Sequence, residues 1–278
     1  PYRSSITVGC NLDLKIFNNG LKMNEIQIKE GIMRLQVRFH LPKPLCLPIN
    51  YQQILQGCLY HMIEDEKFSD FLHNHGYQYG KRQFRLFVFG RLQGKPVVDI
   101  RQKSITFTDH VEWQISSCLP QFIRELGKSF LLEKAMYWNG QPLEIEEIKY
   151  EEVKINQTSC IVRMLSPITV CSTYVSKDGK KTTQYFAPND PAFAHLIREN
   201  MAKKYAAFYG TPYSGTFQIK PLQYSSKDKV ITRFKGTLIE GWNGKYLLEG
   251  DPEMLTFAYV VGLGSRNSQG FGMPVMVQ

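Results

Sequence analysis

The chain has 278 residues, with 34 Lys+Arg against 25 Asp+Glu, a net charge of +9 and a pI near 9.2. Hydrophobic residues at 43% and charged residues at 21% exclude a disordered chain, and no apolar run approaches the ~18 residues of a bilayer span. The basic balance favours a polyanionic partner, because phosphates attract such a surface and release counterions on binding.

Residues 1–32 have weak periodicity and lack the apolar stretch of a secretory signal. Lys29-Glu30-Gly31-Ile32-Met33 is also what a purine-rich ribosome-binding site and a start codon would encode in frame. The expectation is a non-native extension over 1–32, with Met33 as the natural start. Residues 34–40 alternate apolar and polar, as a strand does. Residues 50–64 place Ile54, Leu55, Cys58, Leu59, Met62 and Ile63 at helical spacing after Pro48 and Asn50. Strands are expected at 83–90 and 97–107, joined by a turn with Gly94 and Pro96. The spacing of Val111, Ile115, Cys118, Leu119, Phe122 and Leu126 predicts a helix over 110–126, kinked or broken at Pro120 and stopped by Gly127. Strands at 129–137 and 142–153 complete the first round.

A second round starts with a strand at 160–170. Asn189 or Asp190 caps a helix from Pro191 to about Tyr209, ended by Gly210. Residues 215–224 and 229–240 are expected to pair as a hairpin. Asp251 and Pro252 open a helix to about Val261, and a terminal strand covers Met273–Val277. Both rounds fit β-α-β-β-α-β. The predicted fold class is therefore α+β, with two tandem ferredoxin-like domains of the RAMP/RRM-like kind, 33–156 and 157–278.

The six cysteines form no CxxC pair and no zinc spacing. They read as reduced core residues of a cytoplasmic protein, and no metal or cofactor is expected. The string Gly262-Leu263-Gly264-Ser265-Arg266-Asn267-Ser268-Gln269-Gly270-Phe271-Gly272 has neither the dinucleotide GxGxxG order nor a Walker loop, and a strand follows it. Its glycines allow a ligand or another backbone to come close. Arg266, Asn267 and Ser268 can donate to phosphate or base edges.

This string resembles the C-terminal glycine-rich motif of the RAMP superfamily, and within it the CRISPR-associated repeat-RNA processing endoribonucleases. Tyr51-Gln52-Gln53-Ile54-Leu55-Gln56-Gly57-Cys58-Leu59-Tyr60 is similar to that family's first helix, and Leu165-Ser166-Pro167-Ile168-Thr169-Val170 to its entry into the second domain. The resemblance runs from Met33 to Gln278. It implies two ferredoxin-like domains and metal-independent cleavage of CRISPR precursor RNA within each repeat. The products would be a 2′,3′-cyclic phosphate and a 5′-hydroxyl. The substrate would be repeat RNA, single-stranded or hairpin. A homodimer, or a place in a CRISPR effector complex, stays open; a membrane partner does not. The alternative is a non-catalytic RAMP subunit that binds guide RNA in an effector complex. A ferredoxin-like regulatory domain for a small ligand is more remote.

RNA cleavage without metal needs an activated 2′-hydroxyl, a proton donor for the leaving oxygen and stabilised phosphorane charge. On the helical wheel Tyr60 falls away from the apolar stripe, on a face with Gln53, Gln56 and Gly57. The resemblance implies Tyr60 as the residue that aligns or activates the 2′-hydroxyl, His73 as general acid or base, and Lys81 as the charge stabiliser. Arg82 could take the role of Lys81, and His61 and His75 are rivals to His73. Expected RNA contacts are Arg82, Arg85, Arg266, Asn267, Ser268, Gly264 and Gly270. Arg85 and Arg91 alternating with Phe87 and Phe89 suggest a stacking strand. Further basic residues among aromatics are Lys177, Lys180, Lys181, Lys203, Lys204, Arg233 and Lys235, with 177–181 as a hairpin tip.

Overall fold

The computed structural model of the protein describes residues 9–15, 33–133, 135–175 and 178–277. In the first half, strands Met33–His40, Phe87–Phe89, His110–Ser117 and Gln141–Glu152 share one antiparallel sheet. Their order across it is fourth, first, third, second. Helices Gln52–His61 and Pro120–Leu132 supply the crossovers. In the second half, Ser159–Met164, Phe217–Gln223, Lys245–Gly250 and Pro274–Met276 repeat that order. Helices Pro191–Tyr209 and Pro252–Val261 make the crossovers there. Each half is thus a ferredoxin-like β-α-β-β-α-β unit. Gly9–Lys15, in the segment of weak periodicity, pairs with Gln141–Glu152 at the edge of the first sheet. The rest of residues 1–32 lies outside the described residues.

Several expected elements are corrected. Residues 110–117 form a strand, with Val111, Trp113 and Ile115 wholly buried and alternate residues half-buried. The helix begins only at Pro120, where a missing N–H costs nothing. Gly127 does not stop that helix; a side chain there would strike the Tyr150 hydroxyl. The helix runs to Leu132, so the strand expected at 129–137 shrinks to Ala135–Trp138, joined to Gln141–Glu152 by an Asn139-Gly140 turn with positive φ at both residues. The stretch 83–90 is broken at Leu86, whose φ of 56° redirects the chain. Arg82–Phe84 pairs with Tyr77–Tyr79, and Phe87–Phe89 joins the main sheet. The stretch 97–107 is itself a hairpin, Pro96–Asp99 with Ser104–Phe107. The stretch 229–240 is one too, because Lys235 and Gly236 both take positive φ between Lys229–Phe234 and Thr237–Trp242. Phe217–Gln223 pairs instead with Lys245–Gly250. The strand expected over 160–170 ends at Met164. The hairpin tip expected at 177–181 lies between Cys171–Val175 and Lys181–Tyr185, although Lys177 lies outside the described residues.

Asp190 and Asp251 stand at the helix N-caps, but their carboxylates accept from Ala187 (2.6 Å) and Thr216 (3.0 Å) backbone N–H groups rather than from the helices. The five cysteines with described side chains are unpaired. Among the described residues no helix is long and apolar enough to cross a membrane.

The two units are bonded to each other through buried groups. Arg34, 2% exposed, reaches from the first sheet to the Pro274 carbonyl at 2.7 Å, its guanidinium 4.0 Å from the Tyr259 ring centre. Ser166 donates to the Phe89 carbonyl (3.2 Å) and accepts from the Met273 N–H (3.0 Å). These bonds fix the glycine-rich loop against the strand Phe87–Phe89, which is what makes a shared cleft.

Candidate active site

The first helix, the segment 71–87 and the glycine-rich loop enclose a cleft of about 550 Å³. Gln56 donates to the Ser268 carbonyl at 2.7 Å and so ties the first helix to the loop. One turn on, Tyr60 faces the same cleft, as its helical position predicted. No atom lies within 4 Å of a side chain built at Gly57.

His73 sits on a single π-helical turn, Phe71–His75, that follows the short helix Glu66–Asp70. Its ring stands edge-on to Tyr60, with centroids 5.1 Å apart and planes at 76°. The structure thus brings two of the three expected catalytic residues together. Arg85 holds the turn in place by donating to the Leu72 carbonyl (2.9 Å) and the His73 carbonyl (2.7 Å). Burial raises the pKa of the Tyr60 phenol, and the neighbouring Arg85 guanidinium opposes the shift. Tyr60 therefore keeps its proton at neutral pH and has it to donate in a hydrogen bond.

Two further residues order the imidazole. Asn74 Nδ2 donates to Asp70 Oδ1 at 2.6 Å, which turns Asn74 Oδ1 toward His73 Nδ1, 2.9 Å away. An acceptor there places the proton on Nδ1 and leaves Nε2 free to take one. Sequence reasoning missed Asn74 and Asp70; the one signal was their i, i+4 spacing. Of the rivals, His61 and His75 are exposed and do not line the cleft, and His75 Nε2 lies 3.9 Å from Asp70.

Lys81 is not brought to the cleft. It occupies the exposed turn of the hairpin Tyr77–Tyr79/Arg82–Phe84, after Gly80 with φ 58°. Arg82 and Arg85 line the cleft instead, opposite Arg266 and Lys235. Phe87 and Phe89 cannot stack bases, because both are wholly buried.

The expected RNA contacts of the glycine-rich loop divide. Arg266 and Ser268 are half-buried on the cleft wall, with Arg266 held by Gln269 Oε1 at 3.1 Å. Asn267 is committed to the loop: its Nδ2 donates to the Leu263 and Phe271 carbonyls, both at 3.0 Å, and its Oδ1 accepts from Lys204. Gly264 and Gly270 make room for protein rather than ligand. Both have positive φ, and a side chain would stand 2.5 Å from the Thr169 carbonyl or 2.6 Å from the Phe89 ring. Lys204, expected as a surface cation, is 3% exposed. Its ammonium donates to the Gly262 carbonyl (2.7 Å), the Gly264 carbonyl (3.1 Å) and Asn267 Oδ1 (2.7 Å). Burial lowers its pKa to about 7.

Comparison with known proteins follows the same outline. The family described as CRISPR associated protein Cas6, C-terminal, matches residues 148–275. The chain is 26% identical over 252 residues to CRISPR-associated endoribonuclease Cas6 1 of Methanocaldococcus jannaschii, covering 88% of this chain and 93% of the relative. It is 26% identical over 236 residues to CRISPR-associated endoribonuclease Cas6 of Pyrococcus furiosus, covering 82% of each. Among solved structures, a Cas6-related protein of Pyrococcus furiosus superposes with a TM-score of 0.77 at 21% identity, over 89% of this chain and 99% of that one. A structure described as a RAMP protein binding different RNA substrates superposes with a TM-score of 0.74 at 22% identity, over 88% and 100%. At these identities the structural likeness speaks for the fold.

Proposed function

We propose, from the premise that this chain belongs to the family of CRISPR repeat-RNA processing proteins, that it is an endoribonuclease cutting CRISPR precursor RNA within its repeats. The observation that carries this reading is the Tyr60–His73 ring pair, 5.1 Å between centroids, at a cleft edged by Arg82, Arg85 and Arg266. The neighbouring 2′-hydroxyl is the nucleophile, which makes RNA rather than DNA the substrate. His73 Nε2 takes the hydroxyl proton, with Nδ1–H held by Asn74. The protonated phenol of Tyr60 aligns the reacting ribose or phosphate. Arg85, with Arg82, offsets the charge gathering on the phosphorane, the role first expected of Lys81. The imidazolium of His73 then gives that proton to the expelled 5′ oxygen, which leaves as a hydroxyl, and the other product ends in a 2′,3′-cyclic phosphate. Each proton and charge in this scheme is handled by a side chain already present, so the scheme calls for no metal.

The test is incubation of labelled repeat RNA with the protein in excess EDTA, with analysis of the product ends. Cleavage is expected to continue at its usual rate and to give cyclic phosphate and 5′-hydroxyl ends. Arrest in EDTA, or 5′-phosphate products, would sink the mechanism. Tight binding without any cutting would leave the RNA-binding subunit as the better reading.

A further inference from the structure

Helix Pro191–Tyr209 turns a stripe of Phe193, Ile197 and Met201 into the protein, and two polar residues share it: Asn200 and Lys204. They stand one helical turn apart under the glycine-rich loop, and both line the cleft. A buried polar group is tolerable when matched and costly when left unmatched. Lys204 is matched, since all three of its N–H donors are taken by the loop. Asn200 is not. It is 7% exposed, and its Oδ1 has no donor among the described residues. An apolar side chain of the same size would suit the stripe better, so the carboxamide has its use in something that enters the cleft.

We infer that Asn200 reads one base of the bound RNA, its carboxamide pairing with a base edge that sets an N–H donor beside an acceptor. This inference rests on the reading of the cleft as an RNA site. A side-chain amide and a base edge are complementary in that way, as in the pairing of Asn with adenine. Single-stranded RNA can supply such an edge because its bases unstack into protein pockets. The two ends of the amide exchange by a half-turn about its terminal torsion, so either end can be turned to the base. Lys204 holds the loop that forms the opposite wall, and its own donors are already used. The base therefore finds one reader here and no competing ammonium proton.

The test uses the full protein and a labelled repeat RNA, measured by fluorescence anisotropy beside the same RNA carrying one abasic nucleotide at each position in turn. Asn200→Leu keeps the side-chain volume and removes both polar ends. It is expected to weaken binding about tenfold, the loss of one matched hydrogen-bonded group, and to leave Tm equal or higher, because an unmatched buried amide is gone. One abasic position should weaken wild-type binding about tenfold and leave Asn200→Leu unaffected. Asn200→Ala should lose sensitivity at that same position, whatever its stability. The inference is overturned if Asn200→Leu binds as wild type does. It is also overturned if both variants keep every abasic penalty, or if the penalty they lose follows a 2′-deoxy substitution instead of the base. Failure of the wild-type protein to bind repeat RNA at all overturns the RNA reading itself, and this inference with it.

Discussion

Replacing His73 with alanine is expected to slow repeat-RNA cleavage by roughly 10³-fold, within the range that one positioned acid or base contributes. Binding of the RNA should stay within about threefold of wild type. The split follows from where His73 sits. It is exposed at the edge of the cleft, its ring against Tyr60, while the cleft also carries Arg82, Arg85, Arg266 and Lys235. The side chain supports little of the fold: its described hydrogen bond is to its neighbour Asn74, and the turn itself is held by Arg85 through main-chain carbonyls. Single-turnover cleavage and anisotropy on the same preparation separate the two quantities. An alanine variant that cuts at the wild-type rate would move the proton transfer to another residue. One that fails to bind would make His73 an RNA contact.

The second large effect concerns Lys204. Burial holds its folded pKa near 7, well below the ordinary 10.5. Between those values the unfolded chain carries a proton that the folded chain has released. Unfolding free energy therefore rises with pH across that window, and the gain is lost as pH falls back to 7. From pH 7 to 9.5 the rise is up to about 3 kcal/mol, at about 1.4 kcal/mol per pH unit; the three acceptors around the ammonium favour its charge and make the slope shallower. Urea unfolding at the two pH values measures it. In Lys204→Met this component is expected to vanish. The Gly262 and Gly264 carbonyls and Asn267 Oδ1 are then left without their shared donor, so the loop loosens. RNA affinity at pH 7 should fall at least tenfold. An unchanged pH slope in the variant would show that Lys204 does not titrate in this range.

Much of the fold can be read from the sequence because its helices carry clear stripes and its turns carry glycine. Tyr60 is a good instance: its angle on the first helix alone sends it away from the core, and the structure places it on the cleft. Residues 110–117 mislead because Val111, Ile115, Cys118 and Leu119 are spaced as on a helix. The period-two burial becomes plain only when Trp113 is counted. The stretches 97–107 and 229–240 mislead because positive φ at Lys103 and Lys235, both non-glycine, folds each back on itself. At the site, the glycine-rich string points to the right place for a partly different reason. Its glycines let the loop pack on Thr169 and Phe89, and Asn267 is a strut within it. Asn200 is invisible as a site residue, and Lys204 reads as a surface cation, since a polar residue on a helix ordinarily faces water. Only packing reveals that these two do not.

In the proposed mechanism the RNA cuts itself: its ribose hydroxyl is held in line with the neighbouring phosphate, beside an imidazole. A repeat RNA with one 2′-deoxy nucleotide immediately 5′ of the cleavage point removes that hydroxyl and nothing else. The substituted RNA is expected to bind within about twofold of the natural one and not to be cut at that point. Cleavage at the usual rate would mean that water or another external nucleophile attacks the phosphate, and self-cleavage by the ribose hydroxyl would be ruled out.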